Sequence, residues 1–310
     1  MKSNAVILMY HRVLPKELMD GEYVPVQPGM YVTPASLRLH LSYLKAHFSI
    51  ITLSDLVNRL KAGKTVCNCA VITFDDGWLD NYLYAFPILK ELKIPATIFL
   101  ASGFIGTTRW FWPEEISWAV LSVLEKKVDI SLLPDKLLHI VEKTPHTQTE
   151  EFIDRIIAEM KLWKETHRIS VAKDCSLLRE KVTGESQRLL MNWEEVKEMS
   201  QSGLVDFGAH TVSHAMLNML PPEKVQREIY GSVTQIFNQT GLSTDTFAYP
   251  NGNYTKDNLG LLPQAGIAAA VTTKRGFVNE SSPLLELPRI AIHEDISHTQ
   301  ALFQWRLFVR

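Results

Sequence analysis

What most constrains this chain is an alternation. Short apolar runs recur at 6–10, 48–52, 71–74, 97–100, 204–209, 246–249, 268–272 and 287–291, and stretches with helical signals lie between them. A helix over 36–46 follows Thr33-Pro34. Ser54-Asp55 opens another through 61, stopped by Gly63. Leu83, Phe86, Leu89 and Leu92 share a face over 81–92, where Pro87 predicts a kink or an N-terminal break. Asn192 caps 193–202, and a helix over 222–240 starts at a proline and stops at Gly241. Strand–helix alternation predicts a parallel sheet, and about eight strands suit a closed or nearly closed barrel. The expected fold is therefore α/β, a deformed (β/α) barrel of about seven to eight parallel strands in a single domain.

One segment interrupts the pattern. From about 109 to 190 the text is helix-like, clearest over 150–167, and reads as a helical insertion on a βα loop. Such loops shape the mouth of a barrel. Trp110, Phe111 and Trp112 open it, either as packing or as a stacking wall for a ring-shaped substrate.

Composition narrows the function classes. Lys+Arg 32 against Asp+Glu 34 gives a net charge of −2, which offers no footprint for nucleic acid. No run approaches the ~18 apolar residues of a membrane span. The six apolar residues before His11 are too few for a signal-peptide core, so a cytoplasmic location is the expectation. Cys67 and Cys69 form a C-x-C pair and Cys175 stands alone, an odd set that argues against a disulfide framework.

Three places carry chemistry. The run at 71–74 leads into Asp75-Asp76-Gly77-Trp78. Strand C-termini are where such barrels place catalysis, and two neighbouring carboxylates cannot both stay charged without help. A metal on one leaves the other free as a base. The run at 204–209 delivers His210, with His214 four residues on, a spacing that shares one face if the segment is helical. Asp76, His210 and His214 would form a three-ligand site with open positions, as catalytic metals have. The run at 246–249 ends in Tyr249-Pro250-Asn251-Gly252, a turn whose amides could stabilise an oxyanion. Trp78 could stack on a sugar or pack the rim.

On these residues the chain resembles the polysaccharide deacetylase (NodB-homology) family, carbohydrate esterase family four. Thr73 to Trp78 with Asn81-Tyr82 and Ile94 to Phe99 is similar to its first motif and the helix and strand after it, His210 to His214 to its second, and Tyr249 to Gly252 to its third. The likeness covers 1–107 and 190–292 and leaves the insertion unexplained. It implies metal-dependent removal of N-acetyl groups from amino sugars, with Asp75 as base and Asp76, His210 and His214 on a divalent ion, commonly zinc, with cobalt, nickel or iron as alternatives. It also places the Asn251 amide at the oxyanion. Where the family often has an arginine orienting the base, this chain has Ala248; Arg289 is the candidate substitute. Met9-Tyr10-His11-Arg12-Val13 resembles a subgroup start whose histidine is the general acid, with His293 as an alternative. The partner implied is an N-acetylated saccharide, glycolipid or saccharide precursor; peripheral membrane contact stays open, and oligomeric state is not readable. Competing readings are hydrolysis of another C–N bond, oxygenase chemistry on a two-His-one-carboxylate iron, and a non-catalytic sugar-binding relative.

Overall fold

The computed structural model describes residues 4–20, 26, 29–184 and 187–308. The chain forms two compact units. One comprises residues 1–14, 31–107 and 190–310, and the other 15–30 and 108–189.

The first unit is a closed barrel of seven parallel strands surrounded by helices. In chain order they are β1 Val6–Tyr10, β2 Cys69–Phe74, β3 Ala96–Leu100, β4 Val205–Ala209, β5 Thr246–Ala248, β6 Ala269–Arg275 and β7 Leu287–Ala291. Neighbours pair in the order β1-β7-β6-β5-β4-β3-β2, and β2 returns to β1, with Val6 opposite Ala70 and Tyr10 opposite Phe74. All five residues of β1 and all six of β2 are buried, as strands covered on both faces require.

The expected strand at 48–52 is reduced to Ser49–Ile50, which pairs only with Cys69 and Ala70 at the start of β2. Thr52 then caps the helix Leu53–Lys61 by accepting from the Asp55 N–H. The run is too short to become a stave, and β1 closes the barrel directly on β2.

Helix ends follow local chemistry. Thr33 caps Pro34–His47, with Pro34 at its first turn. Asn192 and Glu195 form a reciprocal capping box on Trp193–Gln201. The expected disturbance at Pro87 is a π-helix over Asn81–Ala85 that runs into the α-helix Phe86–Leu92. Proline has no N–H to give the preceding turn, and the Phe86 N–H instead reaches back five residues to Asn81.

The second unit is helical. Its main helices are Trp112–Leu124, Asp135–Lys143, Thr149–Lys161 and Glu165–Thr183, so the single helix expected over 150–167 is broken at 162–164. Trp110 and Phe111 are buried rather than lining a wall. The Trp110 indole donates to the Gln187 carbonyl at 2.8 Å, and the Arg179 guanidinium lies over its ring. Arg179 also pairs with Glu115 through two 3.0 Å hydrogen bonds, so this unit carries its own buried ion pair. Among the described residues, no helix is long and apolar enough to cross a membrane.

Candidate active site at the barrel mouth

His11, Asp75, His210 and Tyr249 each follow the last residue of a barrel strand, so they all stand at one end of the barrel. Neighbours along an extended chain point to opposite faces. Asp76 escapes this by taking a left-handed backbone conformation, φ +78°. That turn keeps both carboxylates at the mouth. Gly77 follows at φ +85°, where a Cβ would come within 2.8 Å of the Leu100 side chain.

Asp75 is buried, and its charge is answered within the protein. Arg289, fully buried on β7, donates from its two terminal nitrogens to the two Asp75 oxygens, both at 2.7 Å. The guanidinium is itself fixed by the Thr272 carbonyl at 2.9 Å and the Thr73 hydroxyl at 3.1 Å. Burial pushes the Asp75 carboxyl up, but the Arg289 cation and its hydrogen bonds outweigh this and hold it below the ordinary value. His11 Nε2 lies 3.9 Å from Asp75 Oδ2. Burial lowers the His11 imidazole, against the pull of the two aspartates.

Asp76 is arranged differently. Its Oδ2 accepts from the Trp78 indole N–H at 2.8 Å. Its Oδ1 is buried without a hydrogen-bond partner, although His210 Nε2 and His214 Nε2 each lie 3.3 Å away. His210 Nδ1 sits 2.7 Å from the Ala248 carbonyl, which can only accept. Nδ1 therefore carries a ring proton, and in the neutral imidazole the Nε2 lone pair is turned toward Asp76. A lone pair that faces an orphaned buried oxygen requires a cation or a proton between them. The ligand atoms of Asp76, His210 and His214 all lie within 4.8 Å of one another, and this donor set fits a divalent metal. With protons alone, burial opposes the His210 charge but the two carboxylates raise its affinity above normal.

The remaining candidates divide. His210 and His214 do not share a helix face; residues 210–216 are a loop with Thr211 at φ +62° and His214 at φ +55°. Trp78 is 1% exposed and has no face open to a sugar. Tyr249 is likewise buried, its hydroxyl donating to the Leu285 carbonyl at 2.9 Å and its N–H to Val271. Both hide because each carries a polar atom satisfied inside. Asn251 is exposed in a left-handed turn. His293 pairs with Asp295, and no contact joins it to Asp75 among the described residues.

Sequence reasoning missed the residues that hold this machinery. Asp80 accepts from Arg12 Nε at 2.9 Å and from the Val13 N–H at 2.8 Å, while Asn81 donates to the His11 carbonyl at 2.8 Å. Together they fasten the segment that carries His11. Arg12 also lies over the Trp78 ring at 4.4 Å. A basic residue beside His11 and an acid four beyond Asp76 were the available signal, but nothing in one sequence pairs them.

A parallel barrel with a paired carboxylate and an open Asp-His-His cluster at its C-terminal mouth defines a class of barrel proteins with a candidate mononuclear metal centre. Comparison with known proteins narrows the class. The family model described as Polysaccharide deacetylase matches residues 62–270, and the chain belongs to that family. It is 23% identical over 229 residues to the putative polysaccharide deacetylase YxkH of Bacillus subtilis, covering 74% of this chain and 53% of that protein. It therefore spans about half of that relative's length. A Staphylococcus aureus poly-beta-1,6-N-acetyl-D-glucosamine N-deacetylase is 22% identical, covering 95% of this chain and 80% of that protein. Among solved structures, the Streptococcus pyogenes deacetylase PplD in complex with acetate superposes with a TM-score of 0.62 at 20% identity, covering 98% of each chain. IcaB from Ammonifex degensii gives 0.61 at 20% identity, covering 98% and 97%. These two likenesses show the shared fold.

Proposed function

We propose that the protein is a metal-dependent carbohydrate N-deacetylase that hydrolyses the N-acetyl group of an amino sugar. The observation that carries this reading is the pair of adjacent buried carboxylates, one held by Arg289 and the other facing two histidines through an orphaned oxygen. Water is the co-reactant, a C–O bond forms, the C–N bond breaks, and acetate and a free amine leave. Asp76, His210 and His214 would hold the divalent ion, zinc first, and when bound it supplies Lewis acidity to the acetyl carbonyl and to water. Asp75 accepts the proton of the attacking water; Arg289 fixes its orientation and keeps it ionised. His11, beside Asp75 Oδ2, delivers a proton to the departing nitrogen. The Asn251 amide supports the oxyanion. A β-linked N-acetylglucosamine oligomer is the first substrate to test, because the Staphylococcus aureus relative that aligns over 95% of this chain is named for such a polymer.

The test is acetate release from those oligomers, with metal content measured in the same samples. Wild type should release acetate and Asp75→Asn should not. Bound metal without acetate from any N-acetylated sugar would overturn the reading in favour of another C–N bond or a binding role. His11→Gln should slow amide hydrolysis by about 10²–10⁴-fold. An aryl acetate, whose leaving group needs no proton, should be far less affected, and His293→Gln should leave both rates unchanged. Equal losses on the two substrates would remove His11 from the acid role.

A further inference from the structure

The loop that carries His210 and His214 has neither helix nor strand to hold it, yet two of its non-glycine residues are left-handed. Such residues are strained and persist only where surroundings over-determine them. The surroundings here are one face of the helix Pro222–Thr240. Glu228 Oε2 accepts the Val212 and Ser213 N–H groups, each at 2.8 Å, and Oε1 accepts the Ser213 hydroxyl at 2.7 Å. Three residues on, a Cβ at Gly231 would meet Val212 Cγ2 at 2.8 Å. Glycine weakens a helix interior, and here it lets the helix approach the loop. At the next turn Gln235 accepts the Ser102 hydroxyl at 2.6 Å. The Ser102 and Gly103 N–H groups in turn hold the Thr211 and Val212 carbonyls at 3.1 and 2.8 Å. Positions 228, 231 and 235 follow the i, i+3, i+7 spacing of one helix face.

We propose that Glu228 is a positioning residue for the metal centre: by fastening Val212 and Ser213 it fixes the backbone that aims His210 and His214 at Asp76. This rests on the reading of Asp76, His210 and His214 as metal ligands. A side chain that accepts three hydrogen bonds from two adjacent loop residues fixes their orientation more firmly than a single contact would. Nothing in the proposed chemistry needs Glu228 to touch substrate.

The experiment compares wild type, Glu228→Ala, Glu228→Gln, Ser213→Ala and His210→Ala. Zinc affinity is read by competition with a chelator, coordination by the visible absorption of the cobalt-loaded protein, and folding by the unfolding temperature in EDTA. Glu228→Ala should bind zinc about 10–100-fold more weakly, the usual cost of losing an outer partner of a metal ligand, with an altered cobalt spectrum. Glu228→Gln should recover most of the affinity, because its amide oxygen still accepts both backbone N–H groups. If Glu228→Ala does not fold, Ser213→Ala serves instead; it removes only the hydroxyl contact and should weaken zinc a few-fold. Wild-type affinity and spectrum in Glu228→Ala, or in Ser213→Ala where that variant is needed, would overturn the proposal while leaving the metal site standing. Wild type binding no more tightly than His210→Ala would overturn the metal reading and this one with it.

Discussion

Asp75 and Asp76 are neighbours in sequence, both buried, and opposite in circumstance. Every oxygen of Asp75 is answered by a guanidinium that the barrel itself supplies. Asp76 has one oxygen answered by Trp78 and one left open between two imidazoles. Burial works against both charges, and both carboxyls nonetheless lie below their ordinary range, Asp75 through Arg289 and Asp76 through His210 and His214. The difference lies in what completes each. A carboxylate paired with a fixed internal cation is finished by folding, and it keeps a lone pair for a proton. One whose open oxygen stands between two imidazole nitrogens is finished only by a proton or a cation that arrives there. A single left-handed residue lets one dipeptide hold both states.

The sharpest break of this comparison is Asp75→Asn. The amide cannot take a proton from water, so turnover should fall by about 10²–10⁴-fold while zinc content stays at the wild-type level. Loss of zinc along with activity would show that the two carboxylates are one site and not two.

Arg289→Met attacks the finished side from behind. It leaves Asp75 buried without its cation, which should cost roughly 3–5 kcal/mol of stability near neutral pH. The sign with pH is fixed. In wild type the folded carboxyl lies below its unfolded value, so its contribution is present above that unfolded value and is lost as pH falls through the folded one. Without Arg289, burial dominates and raises the folded carboxyl, so protonation relieves the variant. Denaturant titrations should show the deficit shrinking toward acid pH. The acid limb of the rate profile should move to higher pH, since the base must be ionised. A deficit constant with pH would mean that Arg289 acts by packing.

The barrel was legible because its signals are local. Apolar runs such as 6–10 and 71–74 are buried on both faces, and their downstream residues meet at one mouth whatever the details between them. Asp76, His210 and His214 were legible as residue types that share a chemistry. The run at 48–52 misled because apolarity does not name a partner strand, and the chain turns into a helix at Thr52. The spacing of His210 and His214 suggested a helix face, but the loop achieves the same convergence through backbone strain. Trp78 stayed ambiguous because a stacking aromatic and a packed one are the same residue type in a sequence; the structure buries it, with its indole N–H turned inward to Asp76. Glu228 left no signature, since its partners are chiefly backbone amides that every sequence possesses.

Trp78→Phe offers the mildest and most selective test of the open side. It keeps an aromatic ring beneath Arg12 but removes the only described hydrogen bond to Asp76 Oδ2. The oxygen is buried and ionised, so the loss should cost about 1.5–3 kcal/mol of stability. Zinc should bind roughly tenfold more weakly, because a freed carboxylate can rotate away from the direction His210 and His214 require. The described hydrogen bond of the indole goes to Asp76 and the described ion pair of Asp75 to Arg289, so the acid limb of the rate profile should stay where it is once the site is saturated with zinc. That separation is the point of the variant. Weaker zinc with an unmoved acid limb keeps the two carboxylates as independent devices. A limb that moves with zinc saturated would mean that the charge on Asp75 is set in part by how Asp76 is held, and that the dipeptide works as one coupled acid.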